Sequence, residues 1–562
     1  MCAMGIVGLH TLTPQHKEES HLFRHEKIDR RYWEATMRKS LITGFFIAAM
    51  LSIAPYALSQ IQHVKSTGGR LQGVVADGVA SFKGIPFAAP PVGELRWKAP
   101  QPAKSWTGVK MADTYAPGCM QDMSMAKMGG ASASVSEDCL YLNVWTAAKT
   151  AGEKRPVMVW IHGGAFVGGM TGTPMFDGTK FAQKGVVLVS IAYRLGVFGF
   201  LAHPELSRES GKGSGTFGIQ DMIAGLRWVK NNIARFGGDP SCVTIFGESA
   251  GGIAVGMLAA APPAKGLFQR AISESGGSFA PPRVEEGAGM NVASLRLAES
   301  AGESFLKKLG AADIRTARAM PAEQIQKAVG GGMGGGRFWP VADGYVLPGD
   351  PYELYEEGRF NDTPILVGTN SNEGGLFMRG PSTPASFEKQ IRSGYGEWAD
   401  AILNVYPHST DAEAARASAD VFRESAFAWP TWAWARLQSR KGKGNAFVYY
   451  FDHRTPASPD GANHGAEIPY VFGNFGGPGA APSPEDLALS DLIRSYWINF
   501  AGTGDPNGSG LPKWPAFTEK DQNVMYFDTA PGPRPIPNLE KLKAFDGYYS
   551  WRRQQAKKNG NP

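Results

Sequence analysis

The stretch Val243–Gly252, VTIFGESAGG, sets one serine among small residues directly after a β-branched and aromatic run. A hydroxyl there does chemistry as a nucleophile. It then needs a base to take its proton, an acid to orient the base, and donors for the oxygen that turns negative. Glycine supplies 71 of the 562 residues, so the pattern G-x-S-x-G alone is weak and its surroundings decide. Val243–Phe246 suits a buried strand, and Ala250–Ala260 an apolar helix stopped by Pro262 and Pro263. A strand, sharp turn and helix in that order would expose Ser249 at the carboxyl edge of a sheet. Gly247 and Gly251 leave room beside a turn that larger residues would strain, and the helix start aims its amides at developing negative charge.

The base must come from ten histidines. His10, His16, His21, His25 and His63 lie in or beside an N-terminal segment unlike the rest, which leaves His162, His203, His408, His453 and His464. His203 and His408 each sit beside a proline, as turn residues would, and His453 ends the run AFVYYFDH. His464, between Asn463 and Gly465 in the loop beyond that run, is free to present its ring and is the expected base. His162 opens the small-residue stretch after the strand Val157–Ile161. The amides of Gly164 and Ala165, with that of Ala250, would form a three-donor oxyanion hole. The acid should follow a strand too: Ile365–Gly368 leads to Glu373, whereas Asp362 precedes the strand and falls at the wrong edge. Serine, acid, histidine is the chain order of the α/β-hydrolase arrangement.

Several stretches, taken together, resemble the type-B carboxylesterase family, the group of cholinesterases and secreted bacterial and fungal esterases. They run from GRLQGVVADGVASFKGIPFAAPPVGELRW through SEDCLYLNVW, VMVWIHGGAFVGG, VSIAYRLGVFGFL, NIARFGGDPSCVTIFGESAGG, FQRAISESGG and FWPVADGYVLPGDP to NEGGLF and HGAEIPYVFG, nearly all of residues 65–530. The resemblance implies an α/β-hydrolase fold, a large mostly parallel sheet flanked by helices with an N-terminal antiparallel hairpin. It implies Ser249, Glu373 and His464 as triad, Gly164, Ala165 and Ala250 as oxyanion donors, and Ser275 as a serine supporting the triad from behind. It further implies a Cys119–Cys139 disulfide and scaffold ion pairs of Arg96 with Glu137 and of Arg194 with Asp221. A bridge closing that loop would stabilise by roughly 3 kcal/mol in the chain-entropy model. Two departures stand out. Ala165 replaces the third glycine common in the family's oxyanion loop, keeping the amide but narrowing the space beside a bound carbonyl. Asn372 stands where many relatives carry aspartate.

The chain reads as three stretches. Residues 1–36 are polar and aperiodic, an over-long start if Met37 is the true one. Residues 37–59 look like a signal peptide: Arg38 and Lys39, an apolar core at Leu41–Leu51, and Ala57-Leu58-Ser59 before cleavage at Gln60. The competing reading is an uncleaved anchor over Leu41–Leu58, which is short for a bilayer and contains Pro55. Residues 60–562 read as one catalytic domain. Export follows, to periplasm or medium, with no stable membrane anchor after cleavage and a compartment that permits disulfides. Cys242, at the start of a core strand, is expected to be a buried free thiol. A net charge of +6, dispersed except in the terminal SWRRQQAKKNG, gives no reason to expect nucleic acid. With 43% hydrophobic and 19% charged residues the composition is globular. No C-x-x-C pair, H-E-x-x-H or EF-hand loop calls for a metal, and ester hydrolysis calls for no cofactor.

The expected function is hydrolysis of medium-to-bulky, largely apolar or aromatic carboxylic esters through an acyl-serine intermediate, the partner being the small-molecule ester. Two rivals remain: an amide or carbamate hydrolase using the same residues, and a catalytically silent binding module. The latter is disfavoured because all three catalytic positions are filled. Phe338, Trp339, Trp429, Trp432 and Trp434, with Met120, Met123, Met125 and Met128, either line an apolar gorge or, for the tryptophans, form ordinary core on a helix. GGGMGGG at 330–336 is either a connector near the pocket or a surface loop. No cluster of acids demands a cationic, choline-like substrate, and no basic cluster a polyanionic one.

Overall fold

The structure is a computed structural model that describes residues 60–123, 134–285, 290–330, 338–378, 382–476 and 481–558. The expected N-terminal extension and signal peptide, Met125, Met128 and nearly all of the glycine-rich 330–336 stretch lie outside those residues.

The strongest sequence signal is the apolar run without polar alternation, as in RPVMVWI and VLVSI. Such runs belong to strands covered on both faces, which is the condition of a parallel sheet under helices. The sheet has eleven strands: β1 (Val74–Ala76), β2 (Val79–Pro86), β3 (Tyr141–Thr146), β4 (Arg155–Ile161), β5 (Val187–Ile191), β6 (Gly238–Glu248), β7 (Arg270–Glu274), β8 (Ile365–Asn370), β9 (Ala446–Phe451), β10 (Asn523–Phe527) and β11 (Gly532–Pro535). Their spatial order is β11-β10-β9-β8-β7-β6-β4-β5-β3-β2-β1. From β5 through β10 every neighbouring pair is parallel, whereas β1, β2 and β3 add antiparallel strands at one edge and β11 one at the other.

Alternation along each strand divides the core into two. Val157, Val159 and Ile161 of β4 join one hydrophobic cluster, and Met158 and Trp160 the other. The same parity splits Val243 and Ile245 from Phe246, and Ile365 and Val367 from Leu366. The first cluster is covered by α1 (Phe217–Asn232), α2 (Ala250–Ala260) and α4 (Trp429–Lys441), the second by α5 (Pro484–Thr503). Trp429, Trp432 and Trp434 of α4 are all buried in the first cluster, so for these three the core reading holds and the gorge reading fails. Their indole N–H groups are used internally, on Asp546, Gln522 and Tyr355.

Both implied ion pairs are present. Arg96 meets Glu137 at 2.6 Å, and Arg194 meets Asp221 at 2.7 Å in complete burial. Cys119 and Cys139 are bridged. Cys242 is free as expected but half-buried rather than buried, because it precedes the covered part of β6 and lies beside Arg270 Nη1 at 3.3 Å.

Because β4, β6, β7, β8 and β9 run parallel, their carboxyl ends share one rim. The five segments that leave it carry His162 to Ala165, Ser249, Ser275, Glu373 and His464.

Candidate active site

The nucleophile candidate stands on a strained turn. Ser249 has φ 55° and ψ −123°, a region that costs a non-glycine residue about 1–3 kcal/mol and persists only where the surroundings over-determine it. The surroundings do so. The Ser249 amide donates to the Glu274 carbonyl at 2.9 Å, and the Ser249 carbonyl accepts from Ile253 at 2.8 Å as α2 begins. A Cβ on Gly251 would lie 2.0 Å from the Ile161 carbonyl oxygen, so helix and neighbouring strand touch backbone to backbone. The helix occupies Ala250–Ala260, the bounds read from its small residues and the following prolines.

The loop after β4 presses on this turn, since a Cβ on Gly163 would fall 3.1 Å from Ser249 Cβ. Among the described residues, neither the Gly164 nor the Ala165 amide donates to any acceptor, and Ala250 opens a helix, where the first amides have no internal partner. Ala165 and Phe166 both hold positive φ, 53° and 57°. His162 serves this loop: Tyr193 donates its hydroxyl proton to the His162 carbonyl at 2.8 Å and stacks on the ring at 4.5 Å. Burial lowers the His162 pKa to about 4, against a weaker raising effect of its bond to the Gly163 carbonyl.

Glu373 and His464 meet, with Oε2 2.6 Å from Nδ1. The other carboxylate oxygen accepts from Ser275 Oγ at 2.5 Å and the Asn370 amide at 2.7 Å, so the acid is fully bonded and fully buried. Phe427 stacks on the imidazole at 4.5 Å and Phe377 meets it edge-on at 5.2 Å. Phe427 belongs to one π-helical turn, Glu424–Ala428, between α3 (Asp411–Arg423) and α4, an irregularity of the kind that accumulates at functional sites. Among the described residues the other ring nitrogen, Nε2, has no hydrogen-bond partner and forms an ion-pair contact at 3.2 Å with Oε1 of Glu248, the residue before Ser249.

The other candidate histidines are engaged elsewhere. His453 Nε2 lies 2.8 Å from Asp486, His408 Nδ1 2.6 Å from the Tyr406 carbonyl, and His203 caps the short helix Pro204–Ser210.

Three buried carboxylates act on one imidazole, Glu248, Glu373 and Glu467, and a fourth, Glu274, acts on Glu248 and Glu467. Burial and the neighbouring acids push Glu467 up to about 8, and burial lifts Glu274 well above the ordinary carboxylate range. Burial also raises Glu248, to about 7, although the His464 charge pulls the other way. For His464 burial favours the neutral ring, but the charges of Glu248 and Glu373 outweigh it and hold the pKa up, at about 9. An imidazole fixed at Nδ1 by a carboxylate, at a rim that also carries a strained serine and unpaired amides, is equipped for acyl transfer.

The sequence profile described as "Carboxylesterase family" matches residues 60–543. The chain belongs to that family. It is 37% identical to the fumonisin B1 esterase of Sphingopyxis macrogoltabida, over 84% of this chain and 87% of that one. It is 37% identical to the para-nitrobenzyl esterase of Bacillus subtilis, over 83% and 95%, and 36% identical to the liver carboxylesterase of Sus scrofa, over 80% and 85%. Among solved structures, PNB esterase superposes with a TM-score of 0.74 at 35% identity, covering 86% of this chain and 99% of that one. The Geobacillus stearothermophilus carboxylesterase matches with the same score, identity and coverage. The protein is thus a carboxylesterase with the α/β-hydrolase fold.

In this carboxylesterase hydrogen bonds join His464, Glu373 and Ser275, whereas Ser249, Gly164, Ala165 and Ala250 follow neighbouring parallel strands and, among the described residues, no hydrogen bond joins Ser249 to His464, whose Nε2 faces Glu248. Sequence reasoning missed Glu248, Glu467, Phe377 and Phe427. Two had a signal: Glu248 abuts Ser249, and Glu467 follows His464 by three residues, one helical turn. The expectation of no acid cluster is corrected here: Glu248, Glu373 and Glu467 are far apart in the chain, and only the folded sheet brings them together at His464. The described residues contain no group of three or more His, Cys, Asp or Glu able to hold a metal, and no helix long and apolar enough to cross a membrane.

Proposed function

We propose that this carboxylesterase cleaves medium-to-bulky, largely apolar or aromatic esters through an acyl-enzyme on Ser249. His464 Nε2 takes the hydroxyl proton as Ser249 Oγ attacks the carbonyl carbon. The amides of Gly164, Ala165 and Ala250 receive the oxyanion. Glu373 stabilises the imidazolium without taking its proton. Collapse breaks the bond to the alkoxy oxygen, which leaves as alcohol with the proton from His464. Water then repeats the sequence at the acyl carbon, releasing the acid and restoring Ser249.

The observation that carries this reading is the His464 ring, fixed at Nδ1 by Glu373 at 2.6 Å while Nε2 has no hydrogen-bond partner among the described residues. Phe377 and Phe427 on the imidazole support an apolar substrate. The names of two relatives, fumonisin B1 esterase and para-nitrobenzyl esterase, agree with ester hydrolysis.

A panel of esters graded in acyl and alcohol size, each with its matched amide, tests the proposal. Turnover favouring large apolar esters over small polar ones and over amides supports it, and the reverse order refutes it. We further propose export with cleavage before Gln60, in keeping with the Cys119–Cys139 bridge. The intact mass of the secreted protein checks this, and a species retaining residues 37–59 contradicts it.

A further inference from the structure

The turn that carries the Gly164 and Ala165 amides closes on itself: Val167 and Gly168 both donate to the Gly164 carbonyl at 3.0 Å. Tyr193 holds its entry at the His162 carbonyl, and Gly196 donates to Phe166 at 2.7 Å in its middle. Its exit, Gly169, is held by a single side chain from another part of the chain, Gln121. The Gly169 amide donates to Gln121 Oε1 at 2.9 Å, and Gln121 Nε2 donates to the Gly169 carbonyl at 2.8 Å. The same nitrogen gives its other proton to the Cys119 carbonyl at 3.1 Å. Gln121 is 3% exposed and two residues from a disulfide, so the clamp itself has little freedom.

Motion at Gly169 has no slack to absorb it. A Cβ on Gly169 would lie 2.4 Å from His162 Nδ1, and one on Gly164 only 2.3 Å from the Gly168 carbonyl oxygen and 3.4 Å from the Gly169 nitrogen. Gly168 and Gly169 therefore pack directly against the residues that bear the free amides.

We propose that Gln121 is a positioning residue for ester hydrolysis, aiming the Gly164 and Ala165 amides at the oxyanion by fixing the exit of their turn. This rests on the reading of those amides as oxyanion donors. An amide misaimed by a fraction of an ångström binds the substrate carbonyl nearly as before but stabilises the transition state less.

Gln121→Glu tests it, because the variant keeps size and shape but sets an acceptor against two carbonyl oxygens. Expected are a fall in kcat of about 10- to 100-fold, a KM within about threefold, and an equal loss of affinity for a trifluoromethyl ketone whose adduct carries the oxyanion. Gln121→Met, of similar length and without charge, carries the same comparison if the glutamate variant does not fold. The proposal is overturned if the folded variants keep kcat within about threefold of the parent, or if the kcat loss is not mirrored in ketone affinity. Ser249→Ala separates the two levels. If it retains turnover, the acyl-serine reading itself falls; if it is inactive while the Gln121 variants match the parent, only the clamp falls.

Discussion

Asn372 and Asn463 face each other in a parallel β-bridge, and each is followed directly by one member of the acid–imidazole pair, Glu373 and His464. The bridge is the centre of a seam between two loops. Asn372 donates its amide to the Ala462 carbonyl at 2.8 Å, Ala462 its amide to Ser371 Oγ at 2.9 Å, and Asn370 its Nδ2 to the Asn463 carbonyl at 2.8 Å. Register between residues 91 apart in sequence is thereby fixed before either functional side chain takes part.

Opening that seam should cost turnover. Asn370→Ala removes the side-chain donor to the Asn463 carbonyl, which keeps only the Ala466 amide, and the Nδ2 donor to the Glu467 carboxyl, and we expect kcat to fall about tenfold with KM little changed. A second consequence is a loss of about 1–3 kcal/mol in denaturant unfolding, the cost of orphaned buried groups. Steady-state kinetics on the folded variant checks the first, and parent-like kcat would contradict it.

The pH profile follows from the imidazole. Its pKa is held up at about 9, so the protonated, inactive form persists to higher pH than for an ordinary histidine. kcat/KM should then rise through the alkaline range. Glu248→Gln removes one of the negative neighbours responsible, which lowers the apparent pKa and moves the rising limb to lower pH. Profiles of parent and variant with coincident midpoints would contradict this.

Two glycines of α2 make a controlled pair. In Gly251→Ala the new methyl meets the Ile161 carbonyl oxygen at 2.0 Å, so the turn must shift, with about 1–3 kcal/mol lost and turnover down about 100-fold. In Gly256→Ala the nearest atoms are at 3.5 Å, an ordinary contact, and the better helix former should leave activity intact and add up to about 1 kcal/mol. Thermal unfolding and kinetics of both variants check the contrast.

The pair of Arg194 and Asp221 is scaffold. Removing one partner strands a buried charge, so Arg194→Met should destabilise by about 3–5 kcal/mol. Adding Asp221→Leu should restore part of that, by removing the stranded carboxylate. Denaturant unfolding of the two variants measures both, and a double variant no more stable than the single one contradicts the assignment.

What was legible in the sequence is what local chemistry encodes. Helix Ala250–Ala260 has the bounds expected of it because a strained serine and two prolines enclose it. The sequence pattern ends strand β8 at Gly368, yet the strand continues to Asn370, because Thr369 and Asn370 pair with Tyr450 and Phe451 of β9 and no sequence pattern shows that partner. Ser249, Glu373 and His464 could be chosen because each follows a recognisable strand. Glu248 against the imidazole, Phe427 on a π turn and Gln121 at the loop exit act through space, between segments that only the folded sheet brings together. For the tryptophans of α4 sequence left two readings open, since an aromatic-rich helix reads alike whether it faces a gorge or the core, and burial decides for the core.

The account turns on Ser249 becoming acylated. Rapid-quench intact mass and peptide mapping after mixing the protein with a slowly deacylating aryl ester test this most directly. The expected result is one acyl group per chain, on the peptide holding Ser249, formed together with a burst of one equivalent of phenol. An acyl group on any other residue, or continued turnover by Ser249→Ala with no trapped acyl group, would contradict it.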